Sequence, residues 1–293
     1  MREQTAATKA RAILARHNLH PKKALGQNFL LARGVTEKIV AAAGIAPGDV
    51  VVEIGPGLGV LTRALAEAGA RVLAVELDRA LLPVLEETLQ GLAGVELLHA
   101  DALQLDYAAV LRERHLAPPF KVVANLPYYI TSPLIAKFLE NEPRPAVMVL
   151  MMQKEVAERL VAAPGTKDYG ALSVLAQFYT EPRVVCRVAP GNFFPPPKVH
   201  SAVVRLNLRD RPAVEVADAA AFFRLVRAAF SQRRKMLPKA LEAAGLGLAK
   251  QQWAALAETA GIDPARRGET LTLDEFARLA DAWAELQHGE ELL

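Results

Sequence analysis

VVEIGPGLGVLT, residues 51–62, reads as a short β-branched run, a glycine turn and the start of a helix. Branched apolar side chains suit a buried strand, and glycine opens backbone conformations that a Cβ forbids. Four further runs follow: RVLAVELD (71–78), VELLHAD (95–101), KVVAN (121–125) and AVMVLMMQ (146–153). Amphipathic stretches lie between them, and Pro47-Gly48, Gly69, Gly94 and Pro118-Pro119 punctuate most junctions. This alternation predicts an α/β fold with a doubly wound, mostly parallel sheet.

Beyond a helical stretch at Gly170 to Tyr179, two extended runs, PRVVCRVAP and SAVVRLNL, flank GNFFPPPKVH. That connection suits an antiparallel hairpin, because a right-handed parallel crossover needs a helix. From Ala219 onward only helical periodicity remains. The expected organisation is a catalytic sheet domain over residues 1–210 and a smaller all-α domain over 211–293.

The chain has 293 residues, 52% of them hydrophobic, enough for one large core and a smaller one. Its net charge of +3 is mild but unevenly spread. Arg2, Lys9, Arg11, Arg16, Lys22 and Lys23 face the single acid Glu3 in the first 25 residues. Arg224, Arg227, Arg233, Arg234, Lys235 and Lys239 fall in an acid-free stretch from Phe222 to Leu241. Both stretches are candidate phosphate-binding surfaces, with Lys22, Lys23, Arg227, Arg233, Arg234 and Lys235 the chosen contacts and a solvated helix face the plainer alternative. One cysteine, Cys186, excludes an intramolecular disulfide and a Cys-rich zinc site. A cytoplasmic protein without a membrane segment is expected.

Three successive strand ends carry polar or glycine signals: Gly55 and Gly57, then Glu76, then Asp101. In an open α/β sheet the ligand crevice forms at these carboxyl ends, and an acid about 20 residues past the first glycine can accept from a ribose diol. Each residue alone also fits a helix cap or a simple turn. Nicotinamide dinucleotides and S-adenosylmethionine share that ribose, but GxGxG with Pro56 inserted departs from the dinucleotide pattern GxGxxG.

The fourth strand ends in ANLPYYITSPL (124–134). Asn125 lies at the tip, Pro127 biases Leu126 to an extended conformation that aims its carbonyl, and Tyr128 adds an aromatic face. Two acceptors beside a flat ring suit the exocyclic amine of adenine, whose nitrogen needs its hydrogens held before it attacks a methyl donor. Phe193 is the candidate for the opposite face of the base, with Phe194 the alternative. Loop aromatics between prolines also read as hydrophobic plugs, and for Phe194 that reading stands level with the functional one.

Through ALGQNFL, VVEIGPGLGVLT, VELD, NLPYYITSPL, LMMQKEVAERL, FFPPPKVHSAVVRL, FSQRRKML and GIDPARRGETLTLDEF, the chain resembles the KsgA/RsmA family over nearly its whole length. These are bacterial small-subunit rRNA adenine dimethyltransferases. The resemblance implies a Rossmann-like class I methyltransferase sheet and S-adenosylmethionine as methyl donor, leaving S-adenosylhomocysteine, with no metal. It also implies 16S rRNA of the immature small ribosomal subunit as partner, and a monomer is expected. It further assigns cofactor contacts to Gln27, Asn28 and Leu30 beside Gly55, Gly57, Glu76, Asp101 and Asn125. Catalysis falls to Asn125, Leu126, Pro127, Tyr128 and Phe193, while Tyr129 is left without a role. An RNA-binding assembly factor, for which methylation is secondary, remains the rival reading.

Overall fold

The computed structural model describes residues 6–290. Arg2 and Glu3, counted in the N-terminal charge cluster, lie outside the described residues. Seven strands build the main sheet: β2 (Val50–Ile54), β3 (Arg71–Glu76), β4 (Val95–His99), β5 (Phe120–Asn125), β6 (Val147–Gln153), β7 (Thr180–Val188) and β9 (Ser201–Leu208). A two-stranded sheet joins β1 (Phe29–Leu30) to β8 (Phe193–Phe194). Helices α1 (Ala6–Arg16), α2 (Arg33–Ala43), α3 (Val60–Glu67), α4 (Leu82–Thr88), α5 (Tyr107–Glu113), α6 (Thr131–Glu140) and α7 (Lys154–Leu160) precede or link these strands. The remaining helices are α8 (Ala171–Tyr179), α9 (Ala219–Ser231), α10 (Leu237–Ala243), α11 (Lys250–Thr259) and α12 (Leu273–Glu290).

Strand order is β4-β3-β2-β5-β6-β9-β7. The pairs among β4, β3, β2, β5 and β6 are parallel, and β9 returns antiparallel to β6, with Met151 opposite Val203. The sheet is thus mostly parallel with an antiparallel end, as its hydrophobic runs predict. All five residues of β2 are buried, which is why the run is apolar on both faces rather than alternating, with Glu53 its one polar side chain. Each fully buried Val or Ile there contributes about 1.5–3 kcal/mol of transfer free energy. Since β3 and β5 lie on opposite sides of β2, the order reverses at β2, and a crevice opens at the carboxyl edge. Local signals set the helix ends: the Asp106 carboxylate accepts from the Ala109 N–H at 3.0 Å to start α5, and Gly44, at φ 56°, closes α2.

The chain divides into two compact units, 1–157 with 181–208, and 158–180 with 209–293. The divide at residue 210 read from the sequence misses the excursion over 158–180. Its physical reason lies on α8: Phe178 packs 5.0 Å from Phe222 and 5.1 Å from Phe223 of α9, so its apolar face completes the helical core. In that second unit the rings of Trp253 and Trp283 lie 5.6 Å apart, and both are buried. No helix among the described residues is long and apolar enough to cross a membrane.

Candidate active site

The turn after β2 requires its glycines. Gly55 and Gly57 sit at φ 66° and 61°, and a Cβ on Gly57 would lie 2.9 Å from the Phe29 ring. The backbone can therefore approach a ligand and tuck under β1 in a way no other residue permits. From this turn the Gly57 N–H is aimed at Glu76, whose carboxylate also accepts from the Asp78 N–H at 2.8 Å. Glu76 is only 6% exposed. Burial pushes its pKa up, and the backbone donors at Asp78, Gly57 and Leu77 pull it back.

One strand behind, Glu53 is wholly buried on β2. Burial raises its pKa to about 8, with Thr62 beside it lowering and the Glu76 charge adding to the rise. One of its oxygens has no hydrogen-bond partner. Glu53 therefore serves the site best as a neutral acid behind Glu76, because two buried carboxylates this close repel.

Asp101 follows β4, where its Oδ1 accepts from the Leu103 N–H at 2.9 Å, a short Asx turn that orients the carboxyl group. At the end of β5 the Asn125 Nδ2 donates to the Asn28 carbonyl at 3.0 Å. A carbonyl only accepts, so this bond fixes which end of the amide is nitrogen and leaves Oδ1 to the cleft. Leu126 is anchored by its N–H to the Met151 carbonyl at 3.0 Å. The Tyr128 hydroxyl shares a 2.9 Å hydrogen bond with Ser201, and burial raises its pKa while Ser201 lowers it.

The segment before β1 is held across this edge by a clasp. Lys22 Nζ reaches Asp78 Oδ1 at 2.7 Å, Gln27 Nε2 donates to Asp78 Oδ2 at 2.8 Å, and the Lys22 N–H donates back to Gln27 Oε1 at 2.8 Å. Burial pushes the Asp78 carboxyl up, yet Lys22, Gln27 and the Ala80 N–H together hold it below its ordinary value. Nearby, Arg16 at the end of α1 and His17 just beyond it both meet Glu87 of α4.

Gln27, Asn28, Leu30, Gly55, Gly57, Glu76, Asp101, Asn125, Leu126, Pro127 and Tyr128 all line one cleft. Phe193 does not. It is 4% exposed and packs in the core with Ile39, Val188 and Val203, its backbone paired to Leu30. A ring so enclosed offers no free face to a base in this conformation, which corrects the expectation that it lies open opposite Tyr128. Phe194 packs instead on the cluster around Leu58 and Phe29, with the Arg11 guanidinium 5.0 Å above its ring.

The basic residues also separate. Lys22 is spent on Asp78, and Arg233 binds Glu269 as well as the carbonyls of Lys167 and Tyr169 at 2.8 and 3.0 Å. These two charges build structure, contrary to the reading that offers them to phosphate, and Arg227 also has a partner. Lys23, Arg234 and Lys235 are exposed. Among the described residues, no three His, Cys, Asp or Glu side chains cluster as a metal site.

Sequence reasoning missed Asp78, although it lies two residues past Glu76 in the VELD run. It also missed the Asn28 carbonyl and Ser201, which act across 97 and 73 positions of chain and leave no local signal.

The model of the ribosomal RNA adenine dimethylase family matches residues 18–285, spanning the cleft and both units. The chain belongs to that family. As a ribosomal RNA adenine dimethylase it is an S-adenosylmethionine-dependent methyltransferase. It is 50% identical over 279 residues to the ribosomal RNA small subunit methyltransferase A of Pelotomaculum thermopropionicum, covering 93% of this chain and 95% of that one. The protein of the same name from Moorella thermoacetica is 50% identical over 283 residues, covering 94% and 96%. Among solved structures, a dimethyladenosine transferase from Plasmodium falciparum superposes with TM-score 0.73 at 26% identity, over 90% of this chain and 98% of the other. The 23S rRNA methyltransferase ErmE gives 0.64 at 29% identity, over 88% and 100%.

Proposed function

We propose that this dimethylase modifies the 6-amino groups of two adjacent adenines in the hairpin loop near the 3′ end of 16S rRNA, acting on immature small subunits. The observation that carries the reading is the Asn125 amide, oriented by the Asn28 carbonyl in the same cleft as Glu76 and Asp101. The small-subunit target follows the name shared by relatives at 50% identity, against 29% for the large-subunit enzyme.

The cleft's donor set fits S-adenosylmethionine. Glu76 is a buried acid at the ribose position, Asp101 caps the far end at the adenine position, and the Cβ-free surface at Gly57 leaves room for a close approach. Once bound, that cofactor supplies a methyl group already activated on a sulfonium. The protein's task is then placement. Asn125 Oδ1 and the Leu126 carbonyl each accept one hydrogen of the adenine amine, drawing its lone pair out of ring conjugation and toward the methyl carbon. Tyr128 stacks under the extruded base, worth about 1–3 kcal/mol, comparable to the cost of unstacking it from RNA. Positioning supplies about 7–11 kcal/mol against about 3–5 for a general base, so the lack of a titratable side chain in NLPY is no obstacle. After transfer the amine carries one proton more than the product needs, and water takes it. No metal enters this scheme, and a cytoplasmic monomer suffices for it.

The test is to incubate purified protein and labelled S-adenosylmethionine with under-methylated small subunits and, separately, with large-subunit rRNA. Label in the small-subunit RNA supports the reading. Label only in the large-subunit RNA moves the chain to the other branch.

A further inference from the structure

The two tyrosines of NLPYY part company in the structure. Tyr128 is half-buried and tied to Ser201, whereas Tyr129 is 54% exposed. Yet Tyr129 is not free surface, because its ring lines the same cleft as Glu76 and Asp101. Its Cδ1 lies 3.7 Å from where a Gly26 Cβ would stand, ordinary van der Waals contact, so the N-terminal segment backs one side of the ring. Burial raises the pKa of its hydroxyl, and the charges of Asp101 and Glu76 raise it further. Two other large apolar side chains left exposed, Leu77 at 43% and Val60 at 38%, line this cleft too.

We infer that Tyr129 is a cofactor-binding residue, its ring forming with Leu77 of the same cleft an outer wall over the adenosine portion of S-adenosylmethionine, away from the RNA base. The inference rests on the proposed cofactor reading of Glu76 and Asp101. Exposed apolar surface at a cleft mouth is stabilised when a flat ligand covers it. An adenine ring has the shape and π-face to do so, and the adjacent carboxylates mark where its ribose and amino group lie. Division of labour follows within one dipeptide: Tyr128 holds the base to be modified and Tyr129 the nucleoside of the donor.

Calorimetry with S-adenosylhomocysteine on the full chain tests this, alongside RNA affinity measured separately. Tyr129→Ala is expected to weaken S-adenosylhomocysteine binding by about 5- to 150-fold, the range for losing one stacked aromatic. Tyr129→Phe keeps the ring and should stay within about 2-fold of the parent, and the affinity of both variants for RNA should be unchanged. Because the side chain is largely exposed, both should melt with the parent, which thermal unfolding checks. If the parent binds S-adenosylhomocysteine and Tyr129→Ala binds it equally well, the inference is overturned. It is equally overturned if RNA affinity alone falls, which would make Tyr129 a substrate contact. Failure of the parent itself to bind S-adenosylhomocysteine would instead remove the cofactor reading beneath it.

Discussion

At the end of β5 one hydrogen bond decides which atom of Asn125 meets a ligand, and the chemistry proposed depends on it. Asn125→Asp replaces the donor facing the Asn28 carbonyl with an oxygen, so the side chain must turn or repel. Transfer to RNA should drop by about 10²- to 10³-fold, the scale for losing one oriented polar group at a reacting centre. Single-turnover methylation reads this out, and S-adenosylhomocysteine affinity within about 5-fold of the parent would separate misplacement from loss of the cofactor. Glu53 supports a prediction of opposite character. Its folded pKa of about 8 exceeds the ordinary 4.5, so between those values the folded chain holds a proton that the unfolded chain has released. Stability contributed by that group is full below about pH 4.5 and is lost as pH rises through 8. Glu53→Gln should therefore melt with the parent near pH 4.5 and about 3 °C or more above it at pH 8–9, as calorimetric scans across pH would show. Equal melting at both ends would mean that Glu53 is accommodated as a charge. Glu76 was legible because it follows a fixed offset from the glycine turn, and Asp101 because it closes the next apolar run. The Asn28 carbonyl was not, since backbone oxygens carry no residue identity and this one acts from 97 positions away.

Between elements, the clasp of Lys22, Gln27 and Asp78 fastens the segment before β1 to the end of β3. Asp78→Ala removes both side-chain bonds and the cap on the Ala80 N–H at once. Hydrogen exchange over residues 22–30 should accelerate, and S-adenosylhomocysteine binding should weaken by about 10-fold, because Gln27, Asn28 and Leu30 lose their seat. Unchanged exchange there would show that the β1–β8 pairing alone anchors the segment. The long parallel strands could be read from their apolar runs, each sustained over several residues. The two-residue strands β1 and β8 could not, because two residues carry no period. That pairing is what draws Phe193 into the core, so its enclosure was hidden from the sequence for the same reason.

Across the whole chain, charge composition pointed to two basic clusters without saying which charges are spent within the fold. In the C-terminal unit Arg233 locks to Glu269 and two carbonyls, while Arg266 grips Glu275 in a bidentate pair that also holds the Glu275 pKa down. These pairs give the GIDPARRGETLTLDEF stretch its structural sense. Arg233→Ala should lower the melting temperature by about 2–4 °C. Arg234→Glu with Lys235→Glu should leave it unchanged but flatten the salt dependence of RNA binding by about 1.4 to 1.8 in slope. A flattened slope from Arg233→Ala alone, without loss of stability, would reverse that assignment. The excursion over 158–180 was equally hidden, since an amphipathic helix shows that it has an apolar face but not which core receives it.

The most direct test of the central claim is nucleoside mass spectrometry of small-subunit RNA after incubation with the purified protein and methyl-labelled S-adenosylmethionine. The account predicts labelled N6,N6-dimethyladenosine at two adjacent positions of the 3′ hairpin loop with the parent, formed at least about 10²-fold more slowly with Asn125→Asp. Label on another nucleoside, or dimethyladenosine made as readily by Asn125→Asp, would contradict it.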